Sequence, residues 1–166
     1  MNTPYSDIYV LFQDRIENDA NFYIKGESEE VMMAFAKKQM KKLLNEAIYY
    51  MYTYDENDKT DFDVSFYEKD DILETFLFEL QEAECQLIAD VMFKQYIDKK
   101  CIEKLNALRN IGFKDDELVQ FSPANTLKEF NSSLEQLKYK TNNSISAYKR
   151  RDRKTLKYKS FNYNFG

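Results

Sequence analysis

Histidine and tryptophan are absent from the 166 residues, and glycine and proline number only three and two. Without histidine the chain lacks the usual proton shuttle, the base of a Ser-His-Asp triad and the commonest metal ligand. Three glycines leave no material for a phosphate-cradling loop. So few turn formers also argue against a many-stranded sheet with tight turns. The two cysteines, Cys85 and Cys101, form no CxxC pair; they read as small apolar residues on helix faces in a reducing compartment. No run of about 18 apolar residues is present, so no membrane span and no membrane partner are expected. Met1-Asn2-Thr3-Pro4 lacks the basic region and apolar stretch of a signal peptide, which places synthesis in the cytoplasm.

What the chain does have is 43% hydrophobic and 32% charged residues, including 13 Tyr and 13 Phe. That composition and length predict one globular body with a real core. The aromatic load exceeds what a small core needs and fits contact surfaces between subunits. Charge is unevenly placed. Nine basic residues between Lys138 and Lys159 face one acid, Asp152, giving that segment +8; with −5 for the whole chain, the remainder carries −13.

Periodicity predicts a mainly helical fold, a small four-helix bundle over residues 1–150 followed by an extended basic and aromatic arm over 151–166. Thr3 as N-cap and Pro4 at the first helical position start a helix to about Ile16, with Ile8, Leu11 and Phe12 inward. Residues 17–27 are a polar loop around Phe22. Ser28 caps a second helix, with Glu29 and Glu30 in its first turn, ending near Tyr54. Its apolar face is Val31, Phe35, Leu43, Leu44, Ala47, Ile48 and Met51. Phe62, Val64 and Phe66 alternate with polar residues, as in a short strand, a β-hairpin or an extended loop. A third helix collects Leu73, Phe76, Leu77, Leu80, Leu87, Ile88, Val91 and Met92. It continues with a bend through Ile97, Cys101, Leu105 and Leu108, and Gly112 serves as its C-terminal cap. Ser122-Pro123 starts a fourth helix to about Arg150, whose stripe from Leu127 through Leu134, Thr141 and Ile145 to Tyr148 is narrow.

No catalytic set emerges, so the chain reads as a non-enzyme with no cofactor and no metal. The acidic loop Asp55–Asp61 lacks the glycine of a calcium loop. Glu79, Glu82 and Glu84 read as a solvated or interfacial helix face. The candidate partner-binding residues are Lys149, Arg150, Arg151, Arg153, Lys154, Lys157 and Lys159, with Phe161, Tyr163 and Phe165. In that last trio aromatics alternate with asparagines, as in a strand added to a partner's sheet edge. The basic cluster also suits phosphate contacts, so a small helical nucleic-acid-binding or regulatory protein is the alternative.

Several segments carry a family likeness. Thr3-Pro4-Tyr5-Ser6-Asp7-Ile8-Tyr9, followed by Phe12 and Ile16, resembles the start of head-to-tail connector proteins of tailed bacteriophages, also called head–tail adaptor or neck proteins. Glu84-Cys85-Gln86-Leu87-Ile88-Ala89-Asp90-Val91-Met92 is similar to that family's central helix, with Tyr96 at its following aromatic position. Phe121-Ser122-Pro123-Ala124-Asn125-Thr126-Leu127 is similar to its entry into the last helix, and Tyr148 to the aromatic near that helix's end. Tyr96 and Thr126 stand where the family often has Trp and His. The resemblance implies a virion structural protein, a ring of typically twelve copies under the portal protein in the neck of the particle. DNA would pass through the lumen, and a tail-completion protein (a stopper or tail terminator) would dock on the other side. It also implies a C-terminal segment that reaches toward the portal.

Overall fold

In a computed structural model the chain is described over residues 2–16, 22, 28–57, 60–110 and 123–159; at 104, 105, 107–110 and 123–127 the backbone alone is described. Four helices form the bulk: α1 (Tyr5–Ile16), α2 (Glu29–Thr53), α3 (Glu82–Asn110) and α4 (Pro123–Lys149). Three two-residue strands, β1 (Thr3–Pro4), β2 (Lys69–Asp70) and β3 (Thr75–Phe76), form an antiparallel sheet in the order β1-β3-β2. The mainly helical expectation therefore holds. The expected Gly112 cap, the Ser122 cap, the Phe161–Phe165 strand and, apart from Phe22, the 17–27 loop lie outside the described residues.

The first helix starts one residue later than expected, and Thr3 does not cap it. Thr3 and Pro4 pair instead with Phe76 and Thr75. The Thr3 hydroxyl accepts a hydrogen bond from Leu80 N at 2.8 Å, while Tyr5 N donates to Glu74 O at 2.8 Å. Proline is tolerated here because β1 lies at the sheet edge, where a missing N–H breaks no ladder. Tyr5, Ile8, Tyr9, Phe12 and Ile16 then form the buried stripe, at helical spacing.

α2 follows the sequence closely. Ser28 Oγ accepts from Val31 N, and Glu29 and Glu30 occupy the first turn, where orphan amides and the helix dipole favour oxygen and negative charge. Met40, Leu43, Leu44, Ala47, Ile48 and Met51 are buried, whereas Val31 is exposed. The Ser28→Ala variant should lose about 1 kcal/mol of stability in urea unfolding.

The third helix departs most. Residues 73–80 are not its first turns but the return arm of a hairpin. Asp70 Oδ1 accepts from Ile72 N at 2.8 Å and Leu73 N at 3.0 Å, and Glu74 takes a left-handed φ of 53°. That side-chain turn competes successfully with helix initiation. Phe76 and Leu80 are consequently buried and Phe78 half-buried, while Leu77, Leu73 and Ile72 are exposed. Residues 62–66 form bends and a turn, not a strand, yet Phe66 is fully buried.

The core packs α1, α2, α3 and the end of α4 around the hairpin. One aromatic group joins Phe12, Phe22 and Tyr96, with ring centroids 5.6–6.0 Å apart. A second surrounds Phe66, which lies 5.1 Å from Phe62, 6.4 Å from Phe78 and 6.5 Å from Tyr148. α4 is fastened to α2 by polar contacts: Tyr50 OH donates to Asn142 Oδ1 at 2.7 Å, and Tyr54 OH and Ser146 Oγ lie 2.6 Å apart. Thr141 and Ile145 are buried, but much of 128–140 is exposed, as a narrow stripe on a wet helix requires.

Candidate docking site

Beyond α4 the chain turns back on itself. Asp152 Oδ1 accepts from Thr155 N at 2.7 Å, Thr155 Oγ1 at 2.8 Å and Lys154 N at 3.1 Å. Leu156 takes a left-handed φ of 56°, and Arg151 bridges to Tyr158. Lys159 N donates to Arg150 O at 2.8 Å, closing the loop. Over 151–159 the expected extended arm is therefore a compact strap. The physical reason is Asp152, whose carboxylate offers the backbone amides a local turn.

Arg153 fastens the strap to the body. Its Nε donates to Glu84 Oε1 at 2.6 Å and its Nη2 to Glu84 Oε2 at 3.1 Å, a two-pronged guanidinium–carboxylate pair. The same Nη2 donates to Glu79 O, and the guanidinium carbon lies 5.6 Å from the Phe78 ring centre. Arg153 N donates to Asp63 Oδ2, and Gln81 Nε2 donates to Arg153 O, both at 2.8 Å. Glu84 is 0% exposed. It also accepts from Gln81 N at 2.7 Å, which closes the start of α3, and from the Tyr148 hydroxyl. Hydrogen bonding to Glu84 raises the Arg153 pKa above its ordinary value, while burial and that acceptor raise the Tyr148 phenol. Glu84 thus departs from the expected solvated face. Glu82 is exposed on α3 as expected, whereas Glu79, also exposed, precedes the helix and is not part of its face.

Seven of the ten candidate residues fall within the described chain. Lys149 is 4% exposed, its ammonium 5.1 Å from the rings of Tyr54 and Phe62. Arg153 points into the Glu84 site, and Lys159 Nζ pairs with Asp63 Oδ1 at 2.7 Å. These three face the body. Arg150, Arg151, Lys154 and Lys157 are exposed to solvent. Leu156 and Tyr158 stand among them, 55% and 68% exposed, with Arg151 stacked 5.2 Å over the Tyr158 ring. Phe161, Tyr163 and Phe165 lie outside the described residues.

The Lys159 ammonium and the Arg153 amide hold the Asp63 carboxyl below the usual carboxylate range, against a smaller opposing effect of burial. A group whose pKa is depressed on folding contributes stability above its unfolded pKa, about 3.9 for Asp. It loses that contribution as pH falls through the lower folded value. Wild type should therefore exceed Asp63→Asn by up to about 1 kcal/mol near pH 6. The gap should narrow as the pH falls below the ordinary carboxylate range in acid-titrated urea unfolding.

Elsewhere the chemistry is sparse. The Cys85 thiol is pushed up to about 11 chiefly by burial, which leaves little thiolate at neutral pH. A cleft of about 250 Å³ lies between Arg15, Asp90, Phe93, Leu137, Lys140, Thr141 and Ser144. Its guanidinium is already engaged by Asp90, Gln86 and Leu11 O at 2.6 Å each. Among the described residues no group of three or more His, Cys, Asp or Glu could hold a metal ion, and no helix is long and apolar enough to cross a membrane.

Two features of the strap escaped the sequence. The pairing of Arg153 with Glu84 spans 69 positions, which no local pattern encodes. Glu84 also makes half of a capping box with Gln81 N, but Gln81 is not the Ser, Thr, Asp or Asn that signals such a box in a sequence. Comparisons with protein-family models, curated proteins and solved structures find no match.

Proposed function

We propose that this chain is a virion structural protein, a head–tail adaptor subunit that assembles as a ring under the portal protein of a tailed phage and surrounds the DNA channel. The segment likenesses from Thr3 to Tyr148 motivate the family. The observation that carries docking is the solvent-exposed part of the strap. There Arg150, Arg151, Lys154 and Lys157 are exposed within the same short segment as the exposed Leu156 and Tyr158, and Arg151 lies over the Tyr158 ring. Exposed cations interspersed with two exposed apolar side chains suit a protein surface with acidic groups and an apolar recess. Charge steers the encounter and the buried anchors set affinity. In this reading the acidic remainder of the chain suits a conduit from which DNA phosphate is repelled, and a tail-completion protein docks on the opposite side of the ring.

The test is to mix the full chain with portal rings of the same genome and image the product. Added ring density is the expected result, and its absence across buffer conditions would end the reading. Replacing Arg150, Arg151, Lys154 and Lys157 together by alanine should weaken portal binding about 10- to 100-fold, mostly through slower association that raised salt mimics. A nucleic-acid role would appear instead as salt-sensitive DNA binding by the chain alone, lost in the same variant.

A further inference from the structure

We infer that the set of groups holding Arg153 is a guanidinium-binding socket, occupied in the free chain by its own strap and open to an arginine-bearing segment of a partner protein when the strap lifts. The socket has a floor, walls and an open mouth. Its floor is the Glu84 carboxylate, 0% exposed, both oxygens of which meet the Arg153 fork. One wall is the Phe78 ring, another the Glu79 carbonyl, and the Tyr148 hydroxyl shares the carboxylate from the side. Its mouth is open, because the Arg153 side chain remains 24% exposed. A two-oxygen acceptor, an aromatic face and a carbonyl acceptor discriminate guanidinium from ammonium, which has no planar fork to meet both oxygens and stack at once.

The strap is built to leave. Apart from Arg153, the contacts that hold it to the body are polar: Asp63 with Arg153 N and with Lys159, and Gln81 with Arg153 O. Its two large apolar side chains, Leu156 and Tyr158, project to solvent rather than into the core. A segment that buries little apolar surface sits at the low-stability end of the molecule. Lifting it would leave the Glu84 carboxylate without its cation, so the open state favours capture of another guanidinium. The socket itself is independent of the adaptor reading; only the assignment of the arriving arginine to a docking partner rests on it.

Chemical rescue tests the socket. The full-length Arg153→Ala chain should melt several degrees below wild type. Millimolar ethylguanidinium should restore most of that loss in a saturable way, by about 5 °C. Ethylammonium at equal concentration should not, and the Glu84→Gln/Arg153→Ala double variant should show no rescue. Equal effects of the two cations, no rescue of Arg153→Ala, or rescue that persists without Glu84 would each overturn the socket. Hydrogen exchange on the wild-type chain tests lifting without any substitution and serves if Arg153→Ala does not fold. The amide of Arg153, which donates to Asp63 on the body, should exchange about 100-fold faster than interior α3 amides, and faster still in 0.5 M salt. Exchange at the α3 rate would show that the strap does not lift on its own. Portal binding that fails while rescue succeeds would remove the adaptor reading and leave the socket standing.

Discussion

Arg153→Ala is expected to lower the unfolding free energy by about 3 kcal/mol, measured by urea titration of the helical circular dichroism signal at neutral pH. Breaking a buried ion pair from one side typically costs about 3–5 kcal/mol. The lower end applies because the Arg153 side chain is 24% exposed, while that of Glu84 is fully enclosed. The loss comes mainly from the survivor, a carboxylate left with the Tyr148 hydroxyl and Gln81 N but no cation. Removing the charge as well should therefore recover much of it. The Glu84→Gln/Arg153→Met double variant is expected within about 1.5 kcal/mol of wild type. A double variant as unstable as Arg153→Ala would mean that the pair acts through packing, not charge.

Phe66→Ala is expected to cost about 3–5 kcal/mol, the range for deleting a buried aromatic ring and leaving a cavity. Phe66 is fully buried although it sits in an irregular segment, not in a helix. Its ring meets Phe62, Phe78 and Tyr148, and its backbone N donates to Tyr52 OH at 3.0 Å. Deleting it removes support from the Glu84 site as well as from the core, since Phe78 and Tyr148 both line that site. Stability losses for Phe66→Ala and Arg153→Ala should thus fail to add, with a coupling of about 0.5–3 kcal/mol. Simple additivity in the double variant would show that core and strap are independent.

Where local chemistry decides, the fold was legible. Ser28 with two following acids marks the start of α2, and the spacing of Leu43, Leu44, Ala47, Ile48 and Met51 marks its inner face. The run Leu73–Leu80 reads as helix from its spacing, although Phe76, Phe78 and Leu80 also alternate, and that expectation fails. The Asp70 turn, together with pairing to Thr3 and Pro4, settled it as a hairpin arm. Pairing between residues some 70 positions apart is invisible to local spacing. The basic residues of 149–159 were legible as a cluster but not in orientation. Lys149, Arg153 and Lys159 turn toward Phe62, Glu84 and Asp63, and only Arg150, Arg151, Lys154 and Lys157 remain exposed to solvent.

The strap hangs from the end of α4, with three residues, Arg150, Arg151 and Asp152, separating Lys149 from Arg153. A link so short acts as a built-in competitor, presenting its own arginine at a local concentration of about millimolar or higher. A dilute, monovalent arginine peptide at micromolar level would lose to it on mass action alone. Displacement then requires an array, in which neighbouring sites hold the incoming segments at comparable local concentration. Occupancy of the socket by a foreign arginine would therefore report that an assembly had formed, and would be silent about isolated encounters.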